Sequence, residues 1–235
     1  MEVSDHIERL RRFVESRLDG HEALRVLEAG CGSCSWFDLR DRGRIVGIDI
    51  SAKQLARNAL LHEAVQDDLM QRRFAPASFD LIVCLDVLEH LPRPRAALVN
   101  LCEALAPGGL LVLKVPNALS WKGIFTKCTP HGLHVWAYRR FLWRPLAGRE
   151  DVGPFRTHMR WAIRPRGLRH WARESGLGIA YEDYYEAWAQ TRLRRRLGPL
   201  DWVLKLLDGL GRALSLGELS LARSEYVLVL ERRRG

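Results

Sequence analysis

Four short apolar runs dominate the first half of the chain, spaced so that a crossover segment fits between each pair. They are ALRVLEAG (residues 23–30), RIVGIDI (44–50), FDLIVCLDVL (79–88) and LLVLKVPN (110–117). Near-continuous apolar runs of this length are strands buried on both faces, and such strands belong to parallel sheets whose faces are covered by helices. EAVQ (63–66) reads as a weaker strand between the second and third runs. The intervening segments read as helices: SWFDLRDRG (35–43) as a brief one and SAKQLARNALL (51–61) with Ser51 as N-cap. RPRAALVNLCEALAPGG (93–109) is the third, stopped by Pro107 and two glycines. The order predicts a doubly wound, Rossmann-like α/β sheet.

The first twenty residues are charged throughout and read as an amphipathic helix with Ile7, Leu10, Val14 and Leu18 on one face, with no apolar block of the kind an export signal needs. The chain has 235 residues and is 47% hydrophobic. It suits one domain, with no apolar stretch approaching the roughly 18 residues a membrane span requires. Five scattered cysteines imply reduced thiols and a cytoplasmic protein.

Charge divides the chain. Residues 1–117 carry 15 Lys/Arg against 17 Asp/Glu, and residues 118–235 carry 22 against 11. Seven of the eight tryptophans lie from Trp121 onward. Residues 1–117 are therefore expected to hold a common α/β engine and the basic, aromatic remainder a specialised attachment. The α/β rhythm stops over 118–155 and resumes at RPRGLRHWARESG (164–176), a helix, followed by strands IAYEDYYEAW (179–188) and SEYVLVLER (224–232). Two insertions result. Residues 118–160 are expected to recognise a second substrate, because the segment leaves the sheet at a strand's carboxyl end, where open α/β sheets bind ligands. Residues 187–222 carry a stripe of Leu200, Val203, Leu204, Leu207, Leu210 and Leu214 opposite Asp201, Lys205, Asp208 and Arg212. Such a stripe is expected to pack on the protein as a cap or lid; the alternative is peripheral contact with the inner membrane surface, Arg192, Arg194, Arg195 and Arg196 facing anionic headgroups.

Two features of the first half point to a nucleotide-like ligand. Glu28-Ala29-Gly30-Cys31-Gly32 lets the backbone turn sharply and approach a ligand closely. Asp49 ends the next strand, where a carboxylate accepts hydrogen bonds from ribose hydroxyls. A dinucleotide fingerprint wants Gly or Ala at position 35, where this chain has Ser35. Cys31 and Cys34 form a C-x-x-C, but no second pair completes a metal site.

EAGCG, the acidic strand end at Asp49, QDDL (66–69), FDLIVCLDVLEHL and LAPGGLLVLKVPN stand in this order between Leu24 and Asn117. In that order they resemble the class I S-adenosylmethionine-dependent methyltransferases, in the small-molecule branch that includes the ubiquinone-type enzymes. The resemblance implies S-adenosylmethionine as cofactor, an antiparallel last strand, and methyl transfer to a small or lipid-like acceptor at oxygen; the basic second half is expected to meet an anionic feature of that acceptor or an acidic membrane surface. It implies that Glu28, Gly30, Cys31 and Gly32 shape the methionine end of the pocket, Asp49 holds the ribose and Ile50 lies against the adenine. Asp68 would contact the adenine amino group, with Asp67 and Leu69 beside it, and Leu85 would offer backbone to the methionine amine. Cys34 replaces a glycine found in many members. Nucleic-acid amino-methyltransferases of similar fold carry an Asn/Asp-Pro-Pro-aromatic motif where this chain has CLDVLEH, which argues against a nucleic-acid substrate.

His90 stands where the family places a residue facing the reactive methyl group, and a histidine is a base near neutrality; capping the following helix is its bland reading. Asp86-x-x-Glu89-His90 is similar to an E-x-x-E-H metal site but departs at the first ligand, so no metal is expected. His134 is the second catalytic candidate, with His131, Trp136, Tyr138 and His158 near the substrate or packing the insertion. Two alternative readings stand beside the enzyme: a non-catalytic protein that binds S-adenosylmethionine as an interaction module, and a nucleic-acid methyltransferase.

Overall fold

The computed structural model describes residues 3–21, 23–120, 123–124, 129–141, 145, 147–148, 153, 155, 157–158, 160–187, 190–191, 198, 201–215 and 220–234. Helix α1 (Val3–Arg17) precedes β1 (Leu24–Ala29), β2 (Gly43–Asp49), α2 (Ala52–Leu55), β3 (Glu63–Gln66) and β4 (Phe79–Leu85). After a 3₁₀ turn at Leu88–His90 come α3 (Pro94–Ala104), β5 (Leu105–Pro116), α4 (His131–Phe141) and a second 3₁₀ turn at Trp161–Ile163. α5 (Pro165–Glu174), β6 (Leu177–Tyr185), α6 (Asp201–Leu214) and β7 (Glu225–Arg232) complete the order.

The seven strands form one sheet in the order β3-β2-β1-β4-β5-β7-β6. β1 to β5 run parallel, and β7 is antiparallel to both β5 and β6. This is the mostly parallel, doubly wound sheet with an antiparallel last strand that the sequence predicts. Alternate residues of each strand point to opposite faces, which divides the core in two. Leu27, Ile48, Ile82 and Leu113 pack with Leu98 and Leu101 of α3 and Leu168 and Trp171 of α5. Val26, Ile45, Leu81 and Val112 pack on the other face with Leu10, Val14 and Leu18 of α1.

Several boundaries differ from expectation for local reasons. Residues 35–42 form an irregular segment of bends and turns rather than a helix, and Gly43 already belongs to β2. Phe37 and Leu39 are both buried, and a spacing of two suits an extended segment laid along the core rather than a helical face. The helix at Ser51 closes after one turn at Leu55, although Ser51 caps it as expected by accepting from the Gln54 amide. α3 ends at Ala104, ahead of Pro107, and LAPGG joins β5. A Cβ added at Gly109 would lie 2.9 Å from the Ala106 carbonyl oxygen and 3.0 Å from that of Asp80, a crowding that favours glycine at this entry. β6 runs Leu177–Tyr185, two residues earlier at its start than read, and stops before Glu186.

The outward-facing stripe of α6 is the largest departure. Asp208 and Gly211 are the buried side of this helix, while Leu206, Leu207, Leu210 and Leu214 are exposed. Of the stripe expected to pack inward, Leu207, Leu210 and Leu214 face solvent and Val203 is half-buried, while Leu200 and the side chain of Leu204 lie outside the described residues.

Candidate active site

The strand order reverses between β1 and β4, and a cavity of about 440 Å³ opens at the carboxyl ends of β1, β2 and β4. This is where an open α/β sheet has its crevice. Its walls include Gly30, Gly32, Asp49, Ile50, Asp67, Asp68, Leu69 and His90, brought together from four separate stretches of chain.

Each wall has a local cause. Gly30 has φ +70, and a Cβ there would lie 2.4 Å from the Val87 side chain. Gly32 has φ +56, and its Cβ would lie 2.8 Å from the Gln54 side-chain oxygen. Both left-handed conformations are easy only for glycine, and together they let the turn after β1 fold back against β2. The Asp49 carboxylate fixes that turn: Oδ2 accepts the Gly32 amide at 3.0 Å and Oδ1 accepts the Ser51 amide at 2.9 Å. A carboxylate oxygen takes two hydrogen bonds, so each retains acceptor capacity toward a ligand hydroxyl. Asp68 similarly caps its own turn, accepting from the Met70 amide and from Gln71. Ile50 is 74% exposed at the cavity mouth, unusual for a large aliphatic unless a ligand covers it.

Three expected contacts lie off this wall. Glu28 is buried beneath the turn, where it accepts the Ser35 hydroxyl, and burial pushes its carboxyl up to about 7. It holds the 30–35 turn in place instead of lining the cavity. Cys31 is packed toward Gly47, and burial, with Asp49 and Glu28 nearby, pushes its thiol up to about 12, which makes it inert. Leu85 ends β4 with its side chain in the core on the α1 face, leaving only backbone for a ligand.

His90 lines the cavity from the 3₁₀ turn, its ring edge-on to Phe155 at 5.8 Å. Its Nε2 lies 3.9 Å from Glu89 Oε1. Glu89 is buried, its Oε2 has no hydrogen-bond partner, and burial together with Asp86 pushes its carboxyl up to about 8. Asp86, Glu89 and His90 do not converge on one point, because Asp86 turns instead to Lys114. His134 is on α4, with Nε2 2.7 Å from Thr129 Oγ1, and does not border the cavity. Arg139 donates to the Ala147 carbonyl, which braces the insertion from within. The side chains of His131 and Tyr138 lie outside the described residues. The insertion still reaches the site: Phe155 lines it, and the His158 amide donates to the Glu89 carbonyl at 2.7 Å.

The sequence reading missed a charged cluster beside the cavity. Lys114 of β5 is buried, bonded to Asp86, 3.6 Å from Glu225 of β7 and 5.1 Å from the centre of the Trp36 ring. Burial works against the ammonium, but Asp86 and Glu225 outweigh it and hold Lys114 above the usual lysine range. Asp86 adopts φ +57, a conformation that costs a non-glycine residue energy and aims its carboxylate at the lysine. The available signal was Lys114 itself, a lone cation in an otherwise apolar strand that is buried on both faces.

The glycine cradle, the two carboxylates with spare acceptor capacity and the uncovered aliphatic face fit an adenosyl ligand with free ribose hydroxyls. The comparisons agree. The methyltransferase domain family matches residues 3–182. A ubiquinone biosynthesis O-methyltransferase of Idiomarina loihiensis is 33% identical over 121 residues, 46% of this chain and 50% of that protein. The namesake from Leptothrix cholodnii is 27% identical over 190 residues, 72% of this chain and 70% of that protein. The first of these is thus matched over half its length only. An S-adenosylmethionine-dependent methyltransferase from Mesorhizobium loti superposes with a TM-score of 0.53 at 17% identity, covering 93% of this chain and 95% of that one, which speaks for the fold alone. With the family matched over most of its length and the sheet and cradle in place, the chain belongs to the methyltransferase domain family, among the class I S-adenosylmethionine-dependent methyltransferases.

Proposed function

We propose that the protein transfers a methyl group from S-adenosylmethionine to an oxygen of a small, lipid-like acceptor. The observation that carries this reading is the convergence of Gly30, Gly32, Asp49, Ile50, Asp68 and His90 on one cavity at the topological switch point. Both relatives are named ubiquinone biosynthesis O-methyltransferases, which supports oxygen as the methylated atom.

In this reading the cofactor supplies an electrophilic methyl group on a sulfonium, and the chain's own residues supply position. Asp49 receives the ribose hydroxyls on the lone pairs left by Gly32 and Ser51. Ile50 covers one face of the adenine, and Asp68 accepts from its amino group. The glycine turn brings backbone against the methionine end, and the backbone at Leu85 takes its amine. In-line displacement gains most of its rate from such alignment. His90 takes the acceptor's proton, and Phe155 keeps water from the ring that does so. Burial and Asp86 hold the Glu89 carboxyl well above the usual carboxylate range, so it carries little negative charge beside that histidine near neutral pH.

Acceptor recognition is assigned to residues 118–160, supported by Phe155 on the cavity wall and by the bond from His158 to Glu89. His134, bonded to Thr129, belongs to that task and not to proton removal. The decisive experiment incubates the protein with labelled donor and a panel of hydroxylated aromatics with and without apolar tails. The expected result is an O-methylated product with stoichiometric demethylated donor. Equal affinity for a nicotinamide dinucleotide, or donor binding with no turnover on any acceptor, would overturn the reading.

A further inference from the structure

α6 is built inside out relative to an ordinary surface helix. Trp202, Leu206, Leu210 and Leu214 are 66%, 53%, 52% and 87% exposed, and Leu207 is exposed beside them. A surface helix normally turns such an arc toward the core. The orientation is not loose, because polar bonds hold the opposite edge. The buried Asp208 accepts the Ser220 hydroxyl at 3.1 Å and the Ala222 amide at 2.9 Å. Asn117, at the end of β5, donates to the Ser220 and Arg223 carbonyls and ties this connection to the sheet. The apolar face is therefore presented outward by the fold itself, and a contiguous patch of this kind on one helix marks a contact surface.

Charge identifies the occupant. Lys205 and Arg212 are exposed along one margin of the apolar arc, Arg212 lying 3.9 Å from the inward-turned carboxylate of Asp208. The sequence just before α6 contributes Arg192, Arg194, Arg195 and Arg196, in a half of the chain with 22 Lys/Arg against 11 Asp/Glu. A helix with Trp and Leu on one face and basic residues along one margin suits the interface of an anionic bilayer, where the long cationic stems reach the headgroups. No described helix is long and apolar enough to cross a membrane, so the contact is lateral. Position agrees as well. α6 links the end of β6 to the start of β7, and Tyr185 and Glu225 pair with each other beside Pro116 of β5. The helix thus rises from the same carboxyl rim on which the cavity opens.

We propose that α6 docks the protein on anionic lipid bilayers with its Trp202/Leu206/Leu210/Leu214 face inserted, bringing the carboxyl rim to the membrane surface. The proposal deepens the lipid-like acceptor reading but is tested apart from it. The 235-residue protein is floated with vesicles of phosphatidylcholine alone and of phosphatidylcholine mixed with phosphatidylglycerol. Binding to the anionic vesicles should be at least tenfold stronger than to the neutral ones. Leu206→Asp combined with Leu210→Asp should reduce it at least tenfold, with melting temperature and donor affinity unchanged, because both positions are exposed. Equal affinity for the two vesicle types, failure to bind either, or undiminished binding by the double variant would each sink the proposal. So would a wild-type dimer that the double variant splits while neither form binds vesicles, since the face would then join two copies. Donor affinity from calorimetry is read on the same samples, so failure at the vesicle leaves the methyl-transfer reading intact.

Discussion

The Asp49 carboxylate and the Gly32 amide lie 3.0 Å apart across the gap between β2 and the turn after β1. The same side chain therefore shapes the cradle and offers it acceptor sites. Asp49→Ala should weaken binding of both S-adenosylmethionine and its demethylated product by more than tenfold, because losing charge-assisted hydrogen bonds costs about 1.5–3 kcal/mol. Calorimetry on the folded variant reads this directly. Unchanged affinity would remove Asp49 from the donor site.

Gly30 and Val87 make a second test of the cradle. A methyl group at Gly30 meets the Val87 side chain at 2.4 Å in a left-handed backbone. Gly30→Ala should lower stability by about 1–3 kcal/mol, the usual cost of overpacking joined to backbone strain. Adding Val87→Ala should return only part of the loss, since it relieves the clash and not the φ strain. Full recovery in denaturant titrations would show that space alone required the glycine.

Lys114 is expected to matter more for stability than any single donor contact. Lys114→Met removes the cation between Asp86 and the buried Glu225, and breaking such a buried pair costs about 3–5 kcal/mol. Glu225→Gln added to Lys114→Met should recover part of that loss. If chemical denaturation found the single variant within about 1 kcal/mol of wild type, the cluster would be an ornament of the surface.

The two raised carboxyls predict a pH dependence of known sign. Glu28 titrates at about 7 and Glu89 at about 8 when folded, against about 4.3 in an unfolded chain. The folded protein then holds more protons than the unfolded one, so stability falls as pH rises from about 4.5 through 8. For Glu28 the fall amounts to about 4 kcal/mol, complete just above pH 7. Glu28→Gln should flatten melting curves between pH 5 and 7, and Glu89→Gln should flatten them up to pH 8. A wild-type melting temperature that climbs over this interval would contradict both burials.

The donor side of the cavity was legible because its residues are strand ends. Gly30 and Asp49 terminate a strand or open the turn after it, so the strand pattern assigns them to one rim, whereas Asp68 was placed there only by the family resemblance. Phe37 and Leu39 were misread because a nine-residue amphipathic segment does not reveal whether tertiary packing or helical bonding organises it. Lys114 was the one signal of its cluster in the sequence; its partner Glu225 was not, because β7 inserts between β5 and β6 and so brings together two residues 111 positions apart. α6 shows the limit of periodicity: the expected stripe shares Leu207, Leu210 and Leu214 with the exposed face, but Trp202 and Leu206 complete that face, and a stripe does not state which side of it is wet. Asp208, capped by Ser220 and Ala222, decides that, and no spacing rule connects the three.

The place of β7 also has a consequence for biogenesis. Among the described residues β6 pairs with no strand but β7, which follows it in the chain and is set between it and β5. While the polypeptide is being synthesised, β5 therefore carries an open edge and β6 has no partner until the chain has been made as far as Arg232. Unpaired edges are sticky and nonlocal pairings are slow. The nascent protein thus passes through a vulnerable interval whose length is set by the translation of residues 186–232. Any lesion that prevents β7 from docking releases β6 as well, so the two strands should be lost to proteolysis together.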